Sequence, residues 1–299
     1  MTTLKKLLLS FFILIVNFSF AQLKSQKENF LNKGKAVEIS HRRNLDNSID
    51  FLYTKSQPGS YTVYYTFKNV KNTKFSDGVK KVVVKHNQGM LFKLRPSDPK
   101  KGISYKSSYR ISKGITNPKF DEDFKYLIPF KEGTDVTLLN NAIDDSSSDE
   151  PTNKVSFKLQ SSNAEVTASR KGVVTKIKNK TGKKVKITIE HEDGTFTNYA
   201  GFDSSKIKVK KGSFVIPGTL LGSLGETDDN LHTLSFQVTY KTKVNDDPAT
   251  AYINPQFVTK EKIQHLEKNK TYTSHYDEEV FFEEFSKKEK KKYLKAKKA

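Results

Sequence analysis

The sequence predicts an all-β chain that ends in a short tail, either helical or disordered. Three observations predict this fold class: apolar and polar residues alternate with a period of two in many short segments, glycine turns separate those segments, and no amphipathic helical pattern precedes the C-terminus. With 299 residues the chain is long enough for two domains of ordinary size. We therefore expect two β-domains in succession.

The first element is an N-terminal segment, residues 1–21, with the features of a secretory signal peptide. Lys5 and Lys6 give it a positive start, residues 7–20 are mostly apolar, and Ala21 ends a motif of small residues suited to cleavage. The apolar run is shorter than the ~20 residues that a membrane-spanning helix needs, which favours cleavage after Ala21 over an uncleaved anchor. We therefore expect an exported protein, periplasmic or extracellular.

Composition limits the remaining classes. The chain has no cysteine, which excludes a cysteine-linked lipid anchor, a disulfide framework and a thiolate metal site. The formal net charge is +20, and loss of the two lysines of the signal peptide leaves 20 − 2 = +18. Such a field attracts polyanions, although a solvated lysine surface without a specific partner explains the charge equally well. No recognised motif supports a nucleic-acid partner.

Residues 22–115 are expected to form a β-sandwich domain of immunoglobulin-like topology. About seven short strands at turn-punctuated spacing are typical of such a sandwich. A turn signal at 86–89 predicts a hairpin between two of these runs. The clearest alternating runs are 37–41, 49–53, 61–67, 79–85, 90–94 and 103–111.

Three further segments complete the predicted organisation. Residues 116–154 are expected to be linker and loop, because 144–153 are polar and lack apolar side chains. Residues 155–260 alternate again between glycine turns, which predicts a compact antiparallel sheet. Residues 261–299 form a charged tail, with acids early and lysines late, an order that suits a helix dipole. We expect a helix or a solvated run there, and a tether to an anionic envelope surface is its functional interpretation.

Fragments of residues 155–260 resemble the M23 (LytM-like) cell-wall peptidases. They occur in the family's order, which makes the set more specific than any one fragment. The fragments are 165–174, 185–194, 197–200, 209–215, 218–225, 235–238 and 253–255. The resemblance implies the family's duplicated hybrid motif fold and its substrate class, peptidoglycan.

The resemblance also implies where the chemistry would lie. Members of the family hold one zinc ion with a His, an Asp and a His of an H-x-H motif, and two further His assist. In this sequence Ser156 takes the place of the Asp, Gly201 that of the His after Y-A, and Thr233 and Ser235 those of H-x-H; the region of the first His, 145–153, contains no histidine. Hydroxyls are not normal zinc ligands, so we expect no catalytic residue, no metal and no other cofactor.

The favoured hypothesis is a pseudoenzyme that binds peptidoglycan or regulates a cell-wall hydrolase, and two alternatives stay open. In the first, a slip or bulge turns His232 towards the old site, where Asp228 helps to hold zinc, and the protein is an M23-type metalloendopeptidase acting on peptidoglycan. In the second, it is a structural envelope protein whose groove is filled. His191, in the predicted hairpin, is interpreted as structural or exposed.

Overall fold

The structure, a computed structural model, describes residues 35–140, 154–159, 164–179, 184–225, 232–244 and 247–297. Strands dominate these residues, which confirms the all-β prediction. The expected signal peptide and the polar loop at 144–153 lie outside the described residues. The elements, in chain order, are β1 (Val37–Arg43), β2 (Ile49–Lys55), β3 (Tyr61–Lys71), β4 (Gly78–Val84), β5 (Gln88–Leu94), β6 (Ser104–Lys113), β7 (Lys125–Leu127), β8 (Asp135–Asn140), β9 (Val155–Leu159), β10 (Glu165–Thr167), β11 (Gly172–Lys178), β12 (Val185–Glu190), β13 (Phe196–Ile207), β14 (Phe214–Val215), β15 (Leu220–Leu224), β16 (His232–Val244), β17 (Asp247–Ile253), β18 (Gln256–Val258), β19 (Ile263–Gln264), β20 (Thr271–Thr273), α1 (Glu278–Phe282) and α2 (Lys287–Lys297).

Contacts divide the chain into two compact units. Unit 1 comprises, in its described part, residues 35–56, 71–75 and 86–103. It holds the sheet β1-β2-β5, in which β2 pairs antiparallel with both neighbours. Phe51 of β2 is fully buried and meets Phe92 edge-on, with ring centroids 6.1 Å apart. The core of unit 1 therefore lies against the central strand of this sheet.

Unit 2 contains the remaining described residues, including a second three-stranded sheet, β4-β3-β6. The hairpin that we expected at 86–89 is not formed, because β4 pairs with β3 and β5 pairs with β2. A turn signal is local, whereas β3 and β4 pair continuously from Tyr61↔Val84 to Phe67↔Gly78, and that longer pairing decides the topology. The sandwich boundary at residue 115 stays a prediction.

The main sheet of unit 2 runs in the order β14-β11-β12-β13-β16-β9-β8-β20 within the described residues. Its neighbouring strands pair antiparallel, and β10, β15 and β17 attach at its side. The predicted hairpin at 185–194 is confirmed between β12 and β13. Its tight turn needs Gly194, whose φ of +91° favours glycine and whose added Cβ would lie 2.9 Å from Ile115. This sheet carries Ser156, Gly201, Thr233, Ser235 and His232.

The core of unit 2 extends into the segment that we expected to be linker. Tyr126 of β7 and Phe130 are buried, and β7 pairs in parallel with β18. Phe157 contacts Phe130 and Phe257 edge-on, at centroid distances of 5.7 Å in both cases. Apolar residues of the expected linker are therefore part of this core, whereas the polar residues 144–153 lie outside the described residues, and the predicted domain boundaries stay predictions.

The charged tail is also part of the fold. β20 pairs with β8, and Phe281 of α1 is buried against Leu127 and Val258. Asp277 caps α1 by accepting hydrogen bonds from the backbone N–H groups of Glu279 and Val280, each at 3.0 Å. Residues 287–297 form α2 rather than the solvated, disordered run, so the helical alternative holds for them. In the described part of the chain, no helix is long and apolar enough to cross a membrane.

Candidate functional site

Three adjoining strands, β13, β16 and β9, bring together the four predicted site positions. Ser235 of β16 pairs with Ser156 of β9 on one side and with Ala200 of β13 on the other. Thr233 lies two residues from Ser235 on the same strand, and its carbonyl oxygen lies beside Gly201. Residues two apart on a strand share a face. Ser156, Gly201, Thr233 and Ser235 therefore form one cluster, which we call the vestigial site.

The vestigial site is polar and partly open. Ser156 is 6% exposed, whereas Thr233 and Ser235 are half-buried. Lys158 pairs with Thr233 and Gln237 follows Ser235 at spacing two, so both belong to the same face. This face can donate and accept hydrogen bonds.

The backbone conformation at Gly201 and the space around it exclude a side chain at this position. Its φ is +131°, a conformation that side-chain-bearing residues rarely adopt, and an added Cβ would lie 2.3 Å from the carbonyl oxygen of Thr233. The carbonyl of Gly201 accepts a hydrogen bond from the N–H of Gly225 at 2.9 Å, which fixes the strand in place. The backbone therefore leaves no room for an imidazole at this position.

The donor chemistry of the vestigial site does not fit zinc. Three of the four residues offer only a neutral hydroxyl, and the fourth offers no side chain; zinc in proteins is held by imidazole, thiolate or carboxylate groups. Within the described residues, no group of three or more His, Cys, Asp or Glu side chains is placed to hold a metal ion. We derive no reaction step through a metal at this site.

His232 does not turn towards the vestigial site. Its strand pairs with β9 in unbroken register from His232↔Leu159 to Phe236↔Val155, so alternation puts His232 on the face opposite Thr233 and Ser235. The ring is 6% exposed, and within the described residues its Nδ1 has no hydrogen-bond partner. The slip or bulge that the metallopeptidase alternative needs is absent from this pairing; Asp228, its other candidate ligand, lies outside the described residues.

Comparison with known proteins agrees with the geometry of this sheet. Residues 152–248 match the model of peptidase family M23. This confirms the resemblance noted in the sequence, and we call unit 2 from β9 to β17 the M23-like domain. No curated protein matches the chain.

Several solved structures are similar to part or most of this chain. The SpoIIQ–SpoIIIAH pore-forming complex contains a chain with 16% identity and a TM-score of 0.34, covering 44% of this chain and 94% of that one. The M23 metalloprotease pseudoalterin, from the deep sea, has 18% identity and a TM-score of 0.31, covering 51% and 96%. Csd3 of Helicobacter pylori has 13% identity and a TM-score of 0.31, covering 86% and 82%.

His191, in the hairpin of the M23-like domain, is structural in its contacts. It is 3% exposed, its Nδ1 lies 2.7 Å from the carbonyl oxygen of Lys171, and its Nε2 lies 3.0 Å from Oγ1 of Thr197. Burial, and then the nearby Arg170 guanidinium, lower the pKa of His191 to about 3. The ring is therefore neutral at physiological pH and links β13 to the residue that precedes β11.

Sequence reasoning missed a buried charge cluster centred on Arg170. The guanidinium is 4% exposed, and its Nη2 donates to Asp193 and to Glu284, each at 2.8 Å. It also stacks over the ring of Phe124, 3.6 Å from the centroid. Burial raises the pKa of Glu284 even though Arg170 opposes that shift. A tail carboxylate is therefore built into the domain, which its position in a run of exposed charges did not indicate.

Proposed function

We propose that the chain is an exported envelope protein whose M23-like domain is non-catalytic and binds peptidoglycan or a cell-wall hydrolase through the vestigial site. One observation carries the proposal: the four positions meet on adjoining strands, yet they offer three hydroxyls and one place with no room for a side chain. A sheet that keeps the geometry of a site without its ligands is suited to recognition rather than to hydrolysis.

The polarity of the site supports binding over a purely structural role. Thr233 and Ser235 are accessible, and Lys158 and Gln237 extend the same face. Hydroxyl, amide and ammonium groups can form hydrogen bonds with the donors and acceptors of a glycan or a peptide. A structural protein would need no such accessible polar face. In this proposal the exposed lysines of α2 contact an anionic envelope surface.

Cosedimentation with purified peptidoglycan sacculi tests this proposal. We expect the wild-type chain to pellet with sacculi in the presence of a metal chelator and to release no soluble fragments. Ser235→Tyr fills the vestigial site and is expected to reduce the pelleted fraction. Ser108→Tyr, at an exposed position of β6, is the matched control and is expected to behave as wild type.

Two results would contradict parts of the proposal. Zinc-dependent release of soluble fragments would show that the domain is a hydrolase. Equal retention of Ser235→Tyr and Ser108→Tyr would show that the vestigial site is not the contact surface. If the wild type stays in solution, the wild type and the same two variants are each added to a purified cell-wall hydrolase, and the rate of that enzyme is measured. A wild type that neither pellets with sacculi nor changes this rate would exclude both peptidoglycan and a cell-wall hydrolase as partners.

A further inference from the structure

A second concavity lies on the same face of the main sheet as the vestigial site. Asn198 pairs with Gln237, and Ala200 pairs with Ser235, so the face that carries Ser235 continues to Thr239. A cavity of about 240 Å³ opens there, roughly 13 Å from Ser235 at ~3.3 Å per residue. None of the four residues of the vestigial site lines it.

Lysines from four strands converge on this cavity. None of its ten described lining residues is acidic. They are Lys113 of β6, Lys176 and Lys178 of β11, Lys186 of β12, Lys241 of β16, and the neutral residues Thr175, Thr188, Phe196, Asn198 and Thr239. The pairing of Lys176 with Thr188 and of Lys178 with Lys186 places three of the lysines side by side on one face. We call this feature the lysine cavity.

Lysines outnumber acids around the lysine cavity in the part of the chain that the structure describes, where the Glu190 carboxylate attracts Lys113 from outside the lining. No carboxylate there lies within ion-pair distance of its five ammonium groups. Burial, and then neighbouring lysines, lower the pKa of Lys186 and of Lys241. Burial also lowers the pKa of Lys113, with Lys211 as the next cause. The lysines therefore repel one another in a partly desolvated space, an arrangement that costs folding free energy.

Neutral hydrogen-bonding groups cross the floor of the cavity between the lysines. Oγ1 of Thr188 donates to Oδ1 of Asn198 at 2.9 Å, and Nδ2 of Asn198 donates to Oγ1 of Thr239 at 3.1 Å. The amide of Asn198 is therefore fixed in orientation, and the Thr239 hydroxyl keeps its proton available to a ligand. A fixed polar floor beneath converging cations is the composition of an anion site.

We propose that the lysine cavity binds a phosphoryl or pyrophosphoryl group. A carboxylate brings one negative charge, whereas each phosphate brings about 1.5–2, which better matches several ammonium groups around one small space. Planar carboxylates are favoured partners of the arginine fork, and none of the described lining residues is an arginine. Lysine acts as a compact point charge, which suits the tetrahedral arrangement of phosphate oxygens. The inference concerns a different ligand from the proposed function and does not depend on it.

Calorimetric titration of the purified chain with inorganic pyrophosphate, at fixed ionic strength, tests the proposal. We expect saturable binding to wild type and no comparable binding of acetate. Lys176→Gln/Lys178→Gln is expected to weaken binding by about tenfold or more, since one charge-assisted hydrogen bond contributes at least that factor. Lys208→Gln/Lys210→Gln removes the same charge at exposed positions outside the cavity and is expected to stay within about twofold of wild type.

A stability measurement keeps the test independent of any folding defect. Without ligand, Lys176→Gln/Lys178→Gln is expected to melt at or above the wild-type melting temperature, because the substitutions relieve repulsion between lysines. Added pyrophosphate is expected to raise the melting temperature of the wild type and to leave that of Lys176→Gln/Lys178→Gln unchanged. Absence of pyrophosphate binding, or equal binding by both double variants, would overturn the proposal.

A vesicle-binding experiment decides whether the phosphoryl group belongs to a lipid headgroup or to a soluble compound. Vesicles of phosphatidylglycerol in phosphatidylcholine are mixed with wild type and challenged with pyrophosphate. Vesicle binding that pyrophosphate displaces, and that Lys176→Gln/Lys178→Gln loses, identifies a lipid headgroup as the source. Pyrophosphate binding without such vesicle binding identifies a soluble phosphorylated compound; either result supports a phosphoryl site.

Discussion

Replacing Gly201 by alanine tests the backbone geometry of the vestigial site. The added methyl group would lie 2.3 Å from the carbonyl oxygen of Thr233, and the residue would have to keep a φ of +131° or abandon it. A strained backbone conformation of this kind costs about 1–3 kcal/mol. If the strand shifts instead, the hydrogen bond from Gly225 to Gly201 is lost, at about 0.5–1.5 kcal/mol.

The expected loss from the backbone is therefore about 1–3 kcal/mol if φ is kept, or about 0.5–1.5 kcal/mol if the strand shifts, before any gain from a less flexible unfolded chain. Gly212→Ala is the matched control, because Gly212 also has a positive φ, +91°, but no atom lies within 4 Å of its added Cβ. The unfolded-state gain is common to both variants and cancels in the comparison. Both variants also place alanine at a positive φ, so the difference between them isolates the collision, and forcing a methyl group into occupied space is expected to cost about 1–3 kcal/mol in the free energy of unfolding.

Urea denaturation followed by circular dichroism measures this difference in free energy, and a thermal scan by the same method measures the matching difference in melting temperature. For a domain of this size, we expect Gly201→Ala to melt about 2–12 °C below Gly212→Ala, at ~2–4 °C per kcal/mol. Equal stability of the two variants, or a more stable Gly201→Ala, would refute the close approach of Thr233 and with it the argument that no imidazole fits there.

Two further predictions concern buried ionisable groups. Arg170→Ala leaves the carboxylates of Asp193 and Glu284 without their shared cation and is expected to lower the free energy of unfolding by about 3–5 kcal/mol. Arg110→Ala, at an exposed site, is the control and is expected to change the free energy of unfolding by less than about 1 kcal/mol. Denaturant titration measures both values, and similar losses in the two variants would contradict the charge cluster around Arg170. His191 has a folded pKa below its unfolded value, so its contribution to stability is present above about pH 6.5 and is lost as pH falls towards 3, by up to about 1.4 kcal/mol per pH unit. Its ring-proton chemical shift is expected to stay constant between about pH 8 and pH 5, and a titration in that range would contradict its burial.

The family motifs, together with alternation along a strand, which is a local rule, indicated the positions of the vestigial site. The family motifs assigned Ser156, Thr233 and Ser235, and the register of β16 with β9 brings these three together. Alternation alone predicted that His232 points to the opposite face, which the register supports. The position of Gly201 was identified, but the obstruction by the Thr233 carbonyl depends on a backbone approach that no motif encodes.

The features that the sequence did not predict depend on contacts between distant segments. Arg170 and Glu284 are 114 residues apart, and each lies in a charged stretch that suggested solvent exposure. The lysine cavity likewise combines five lysines from four strands. Each strand alone shows only an alternating lysine, which is typical of an exposed sheet face. Only the pairing of the strands places these charges together.

The zinc content of the purified chain tests the central claim most directly. Metal analysis after dialysis against buffer with a modest zinc excess is expected to show no zinc above the background of a matched protein-free sample, because the vestigial site offers only hydroxyls. Near-stoichiometric zinc that is lost in His232→Ala would contradict the account, and would identify a displaced metal site of an active M23-type peptidase.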